Sequence, residues 1–133
     1  VKDVDILVKP EIENDIFKTI DAIALRNKKK ALELLHKHLD EGENYLYLLS
    51  MINFQFRNLL MVRELIEKNQ PYYSILRKTR LNPFVVKKSY FQSQKFSFEE
   101  LKKIYQKIFL VDLNIKTGKI EPEVALDMLI AEI

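Results

Sequence analysis

Two histidines, two glycines and no cysteine limit the chemistry open to this chain of 133 residues. Glu33-Leu34-Leu35-His36 sets a carboxylate and an imidazole three residues apart on one helical face, the pairing used by di-iron bundles. Such a centre needs two pairs, and the other histidine, His38, has Leu35 where its glutamate belongs. His36 and His38 are two residues apart, roughly 200° around a helix, so they cannot close on one metal ion. We read the pair as an exposed helix face and expect no metal. A phosphate loop of the GxxxxGK[ST] type needs two glycines five residues apart, and Gly42 and Gly118 are far from each other. Lys116-Thr117-Gly118 matches one element of serine β-lactamases, but the companion Ser-x-x-Lys is missing, and a helix stop explains the match. Absent cysteine removes disulfides and thiolate metal sites. No catalytic residue, bound nucleotide, metal or cofactor is expected.

Binding chemistry has more support. Residues 71–107 carry nine basic groups against Glu99 and Glu100, a net +7, whereas residues 108–133 carry two against five, a net −3. Tyr72, Tyr73, Tyr90 and Phe91 are interleaved with the basic groups. Aromatics and cations so mixed can stack and neutralise single-stranded nucleic acid, so a free-standing helical nucleic-acid binder using residues 71–107 is the alternative function. Aromatics at helical spacing more often fill a core, and lysine-rich helix faces are commonly just solvated. Asp112 precedes Lys116 by four residues, the favourable order for a helical ion pair. Asp112 could instead reach Arg57, giving a structural ion pair between two helices.

The elements that must position these residues are helical. Few glycines and prolines, with 31% charged residues, suit a bundle. The chain is organised around Tyr45 to Asn69, in which fifteen of twenty-five residues are apolar. Leu49, Ile52, Phe56, Leu59 and Ile66 recur at three- and four-residue steps, and a narrow polar stripe runs through Ser50, Asn53, Arg57, Glu64 and Lys68. A helix so apolar must be covered by others. Before it, Pro10 is expected to interrupt any helix, Asn14 to cap helix one, and the run Arg26 to Lys30 to make a turn into helix two. Gly42 supplies a left-handed stop and Asn44 a cap for the central helix. After it, Pro71 ends the central helix and a short piece holds Tyr73, Ile75 and Leu76. Pro83 then opens a helix that Phe84, Val85, Lys88, Tyr90 and Phe91 continue. Ser97 and Glu100 form a capping box for a helix lined by Leu101, Ile104, Tyr105, Ile108, Val111 and Ile115. The last helix, from Pro122, has Val124, Ala125, Met128, Leu129 and Ile133 on its face. The expected fold is all-α, a bundle of about seven helices around a long central one. No apolar run approaches the length of a membrane span. The opening VKDVDILVKP resembles neither a signal peptide nor a natural start, so the chain is expected to be part of a longer protein.

Phe96-Ser97 through Leu101, Asp112-Leu-Asn-Ile-Lys-Thr-Gly118 and Glu121-Pro-Glu-Val-Ala-Leu126 together resemble the end of the delta subunit of bacterial DNA polymerase III. Earlier stretches agree in order: Ile16-Phe17, Asp21-Ala22-Ile23, Ala31-Leu32 with Leu35, Gln55-Phe56-Arg57, Asn82-Pro83-Phe84 and Val86-Lys87-Lys88. The resemblance covers roughly residues 12–133. It implies a helical collar domain over 12–133, with residues 1–11 a linker or the tail of the preceding lid domain. It further implies assembly with sibling clamp-loader subunits, the ATPase subunits and delta-prime, in the cytoplasm beside the nucleoid. Primer–template DNA would be met in the whole complex, and the sliding clamp only through N-terminal domains. On the same resemblance the fragment is not an enzyme, and its parent belongs to the polymerase holoenzyme without being its catalytic or ATPase subunit. Lys116, Thr117, Gly118 and Lys119, a turn with two lysines and an open helix end, are then a candidate DNA contact. The sequence does not single out the faces that meet a neighbouring subunit.

Overall fold

The computed structural model describes residues 10–133. Its elements are α1 (Pro10–Ala24), α2 (Lys28–Asp40), α3 (Tyr45–Glu67), α4 (Tyr72–Thr79), α5 (Pro83–Ser93), α6 (Phe98–Lys116) and α7 (Pro122–Glu132), with no strand among the described residues. The long helix α3 packs against α1, α4, α5, α6 and α7, while α2 covers α1 and α7. Leu48, Leu49, Ile52, Phe56, Leu59 and Val62 of α3 are buried, and Ser50, Arg57, Glu64 and Lys68 face solvent. Phe56, fully buried, meets the edge of Phe96 at 5.9 Å, and burying a ring of this size stabilises by roughly 1.5–3 kcal/mol. A smaller core of Val62, Ile75 and Val86 lies where α3, α4 and α5 meet.

Local chemistry sets the helix limits. Asn27, Asn44 and Asn82 each accept a backbone N–H two or three residues on, and Ser97 with Glu100 forms the reciprocal capping box at 3.0 and 2.8 Å. Four helices end in the same paired closure around a left-handed residue: Arg26, Gly42, Asn69 and Gly118. The central helix thus stops at Asn69 (φ 60°), before Pro71 is reached.

Several expectations are corrected. Pro10 opens α1, a position where its missing N–H is harmless, so Asn14 lies within the helix and does not cap it. Residues 1–9, most of the expected linker or lid tail, lie outside the described residues, and the boundary expected after residue 11 falls in the first turn of α1. Lys28, Lys29 and Lys30 already belong to α2, because Asn27 caps it through the backbone N–H of Lys30. The last helix is turned from its expected face: Leu126 and Ile130 are buried beside Ala125 and Leu129, while Val124 and Met128 are exposed.

The fifth helix buries polar residues as well as apolar ones. Val85, Val86, Ser89, Gln92 and Ser93 face inward, and Phe84 and Phe91 face out. Gln55 Nε2 donates to Ser89 Oγ at 3.1 Å and to Gln92 Oε1 at 3.0 Å. Gln92 Nε2 in turn donates to the Phe17 carbonyl at 3.0 Å and to Asp21 Oδ1 at 2.8 Å, and Asn58 Nδ2 donates to Gln55 Oε1 at 3.3 Å. This buried network ties α1, α3 and α5 together. Amides taken out of water need such partners, so α5 must present Ser89 and Gln92 inward.

Candidate functional site

The exposed crest of α6 is apolar. Phe109 is 65% exposed, and Leu110 and Leu113 are also exposed, although Leu101, Ile104 and Ile108 bury the opposite side of the same helix. Val124 and Met128, one turn apart on α7, extend the apolar surface. Leu110 and Met128 line a groove between the two helices, floored by Val111, Ile120 and Leu129, with Lys107 and Glu132 among its charged residues. A second groove, on the other side of Phe109, runs between α3 and α6 past Leu49, Ser50, Asn53, Asp112 and Lys116. A helix that is apolar on two sides has one side left for a partner. The 3.6-residue pattern of α6 carried this signal, since Phe109, Leu110 and Leu113 lie outside the row that makes the core.

Asp112 pairs with Lys116 at 2.9 Å. It does not pair with Arg57 among the described residues. The two helices run antiparallel, with Phe56 against Phe96 near the start of α6 and Leu49 and Ser50 sharing a groove with Asp112 near its end. Arg57 therefore sits beside Phe56, towards the wrong end of α6 for Asp112. The Lys116–Lys119 turn is closed, contrary to the open end expected. Gly118, at φ 75°, donates its N–H to the Ile115 carbonyl at 3.1 Å, and Lys119 donates to Asn114 at 2.9 Å. Thr117 Oγ1 donates back to the Leu113 carbonyl at 2.9 Å. No backbone N–H of Gly118 or Lys119 is left for a phosphate, and a helix C-terminus repels one. What the turn offers a polyanion is its side chains: Lys116, shared with Asp112, and the exposed Lys119.

His36 Nε2 meets Asp127 Oδ1 at 2.7 Å, joining α2 to α7. His38 is buried, with Nε2 3.5 Å from Asp15. Among the described residues no group of three or more His, Asp or Glu side chains could hold a metal ion, and no helix is long and apolar enough to cross a membrane. Tyr45 opens α3 beside α7; burial, then the carboxylates of Glu123, Asp127 and Glu121, push its phenol above the ordinary value of 10.0. The buried amides Gln55 and Asn58 escaped the sequence reading. Their signal was present, because they fall on the apolar row Met51, Gln55, Asn58, Val62 and off the polar stripe.

The family described as DNA polymerase III delta subunit, C-terminal domain, matches residues 13–133. The DNA polymerase III subunit delta of Bacillus subtilis (strain 168) is 28% identical over 131 residues, 98% of this chain and 38% of that protein. The solved structure of the Bacillus subtilis DNA clamp loader delta protein (YqeN) superposes with a TM-score of 0.87 at 28% identity, over 98% of this chain and 39% of that one. The chain thus spans well under half the length of these relatives.

Proposed function

The chain belongs to the family of the DNA polymerase III delta subunit and matches its C-terminal domain, and from that premise we propose that it is a collar domain, residues 12–133, joining a delta-like subunit to its siblings in a clamp loader. The observation that carries the reading is the apolar crest of α6 and α7, which the domain's own core leaves uncovered. Phe109, Leu110, Leu113 and Met128 supply the apolar centre of a contact, and Lys107, Asp112, Lys116 and Glu132 its charged rim. Rim charges set register and encounter rate more than affinity. The partners are the ATPase subunits and delta-prime, and residues 1–11 are a linker or the tail of the preceding lid domain. On this reading the fragment does no chemistry, works in the cytoplasm, and leaves the sliding clamp to N-terminal domains.

The test is co-elution of the chain with purified ATPase subunits and delta-prime on a sizing column. Phe109→Asp with Leu113→Asp, both at exposed positions, should weaken capture at least ~30-fold if the crest is a hot spot, with helicity unchanged. Equal capture of the double variant, or no capture of the unaltered chain, refutes the assignment.

A further inference from the structure

The outward stripe of α5 is built differently from the crest of α6. Phe84, Lys87, Lys88 and Phe91 recur at three- and four-residue steps, on the side opposite Val85, Val86, Ser89, Gln92 and Ser93, and the exposed Lys95 follows in the turn after the helix. No Asp or Glu occurs anywhere in residues 71–98. Within residues 15–133, whose side chains are described, Lys87, Lys88 and Lys95 form no ion pair. Phe91 is 60% exposed, yet it is held from behind by the ring of Tyr90 at 6.0 Å, itself braced by Tyr72 at 5.1 Å. Phe84 is anchored edge-on by Phe17 at 5.7 Å, and the Lys88 ammonium lies 5.9 Å from its centroid. Neighbouring α4 adds Tyr73, 67% exposed, and Arg77 one turn later.

We propose that this stripe docks single-stranded DNA, with Phe91 and Phe84 as stacking platforms and Lys87, Lys88 and Lys95 neutralising phosphates. An acidic peptide would use the lysines and leave the rings idle, and an apolar partner would strand the lysines. A strand uses both, because it offers a π-face and a phosphate at every nucleotide. The rings are two helical turns apart, about 10 Å along the axis, so one strand laid along α5 reaches both. They are pre-positioned by their edge contacts, which spares the ordering cost of loose side chains. The proposal stands apart from the assembly role, since it concerns a different face and its test needs no sibling subunit.

The test is fluorescence anisotropy of a labelled oligothymidylate titrated with the whole chain, between about 50 and about 200 mM salt. Binding should weaken with salt, and Lys87→Gln with Lys88→Gln and Lys95→Gln should reduce the log–log slope by about 2, at ~0.7 per phosphate contact. Phe91→Ala should weaken binding about ten-fold at fixed salt without changing the slope. Melting curves check that each variant folds, and the lysine variant keeps the test open if Phe91→Ala does not. The proposal is overturned by absence of binding at low salt, or by unchanged affinity in a folded Phe91→Ala variant. Duplex DNA binding equally well, or polyglutamate competing equally well, overturns it too, the latter in favour of an acidic protein partner.

Discussion

Replacing Gln92 by leucine attacks the joint between α1, α3 and α5. The leucine removes its own donors, so the Phe17 carbonyl and the half-buried Asp21 lose a bond without leaving Gln92 groups unpaired. The lasting damage is at Gln55, only 1% exposed, whose amide keeps Ser89 but loses the Gln92 oxygen. One orphaned buried donor and two lost hydrogen bonds amount to about 2–3 kcal/mol. For 133 residues the melting entropy is about 0.28 kcal/mol per kelvin, so the melting temperature should fall by roughly 7–11 °C. Gln55→Leu should cost more, about 3–4 kcal/mol, because it strands Ser89, Gln92 and Asn58 together. The double variant decides the matter: each substitution removes a group that the other leaves unpaired, so its cost should fall short of the sum by at least ~1 kcal/mol. Thermal and urea denaturation followed by circular dichroism read all three. Costs that add within about 0.3–0.5 kcal/mol would show that the amides do not act as a unit, and the account of how α5 is oriented would go with them.

Asn44→Ala should destabilise by about 1 kcal/mol, since its side chain accepts from the N–H groups of both Leu46 and Tyr47; a change below a few tenths in urea denaturation contradicts the capping role. Lys116→Ala with Lys119→Ala, in the whole loader, should reduce the salt slope of primer–template binding by about 1.4–1.8, and an unchanged slope removes the turn as a DNA contact. The raised phenol of Tyr45 means that the fold favours its neutral form. Its stabilising contribution is therefore complete below the ordinary value of 10.0 and is lost as pH rises through the higher folded value. Tyr45→Phe should flatten the alkaline fall in the urea midpoint, and an identical fall in both proteins would contradict it.

Sequence alone was sufficient for the features that are local. The Ser97–Glu100 capping box, the Asn44 cap, the left-handed stop at Gly42, the helix stop at Gly118 and the buried rows of α3 and α6 each depend on residues within one or two turns. Even the pairing of Asp112 with Lys116 is of this kind. The resemblance to the delta subunit was legible for the same reason, as short strings in a fixed order. Where one helix meets another was decided only by the tertiary structure. Arg57 and Asp112 are both at the edge of an apolar row, but the antiparallel docking of α3 and α6 keeps them apart. Helices α5 and α7 have apolar residues on nearly every side, so their own patterns name no inward face. Core packing turns Leu126 and Ile130 inward, leaving Val124 and Met128 on the surface. For α5 the deciding groups belong to other helices: the amides of Gln55 and Gln92 must be satisfied together, and satisfying them leaves Phe84 and Phe91 outside. A helix carries the information for its own ends within a few residues, whereas its rotation is chosen by what it is pressed against.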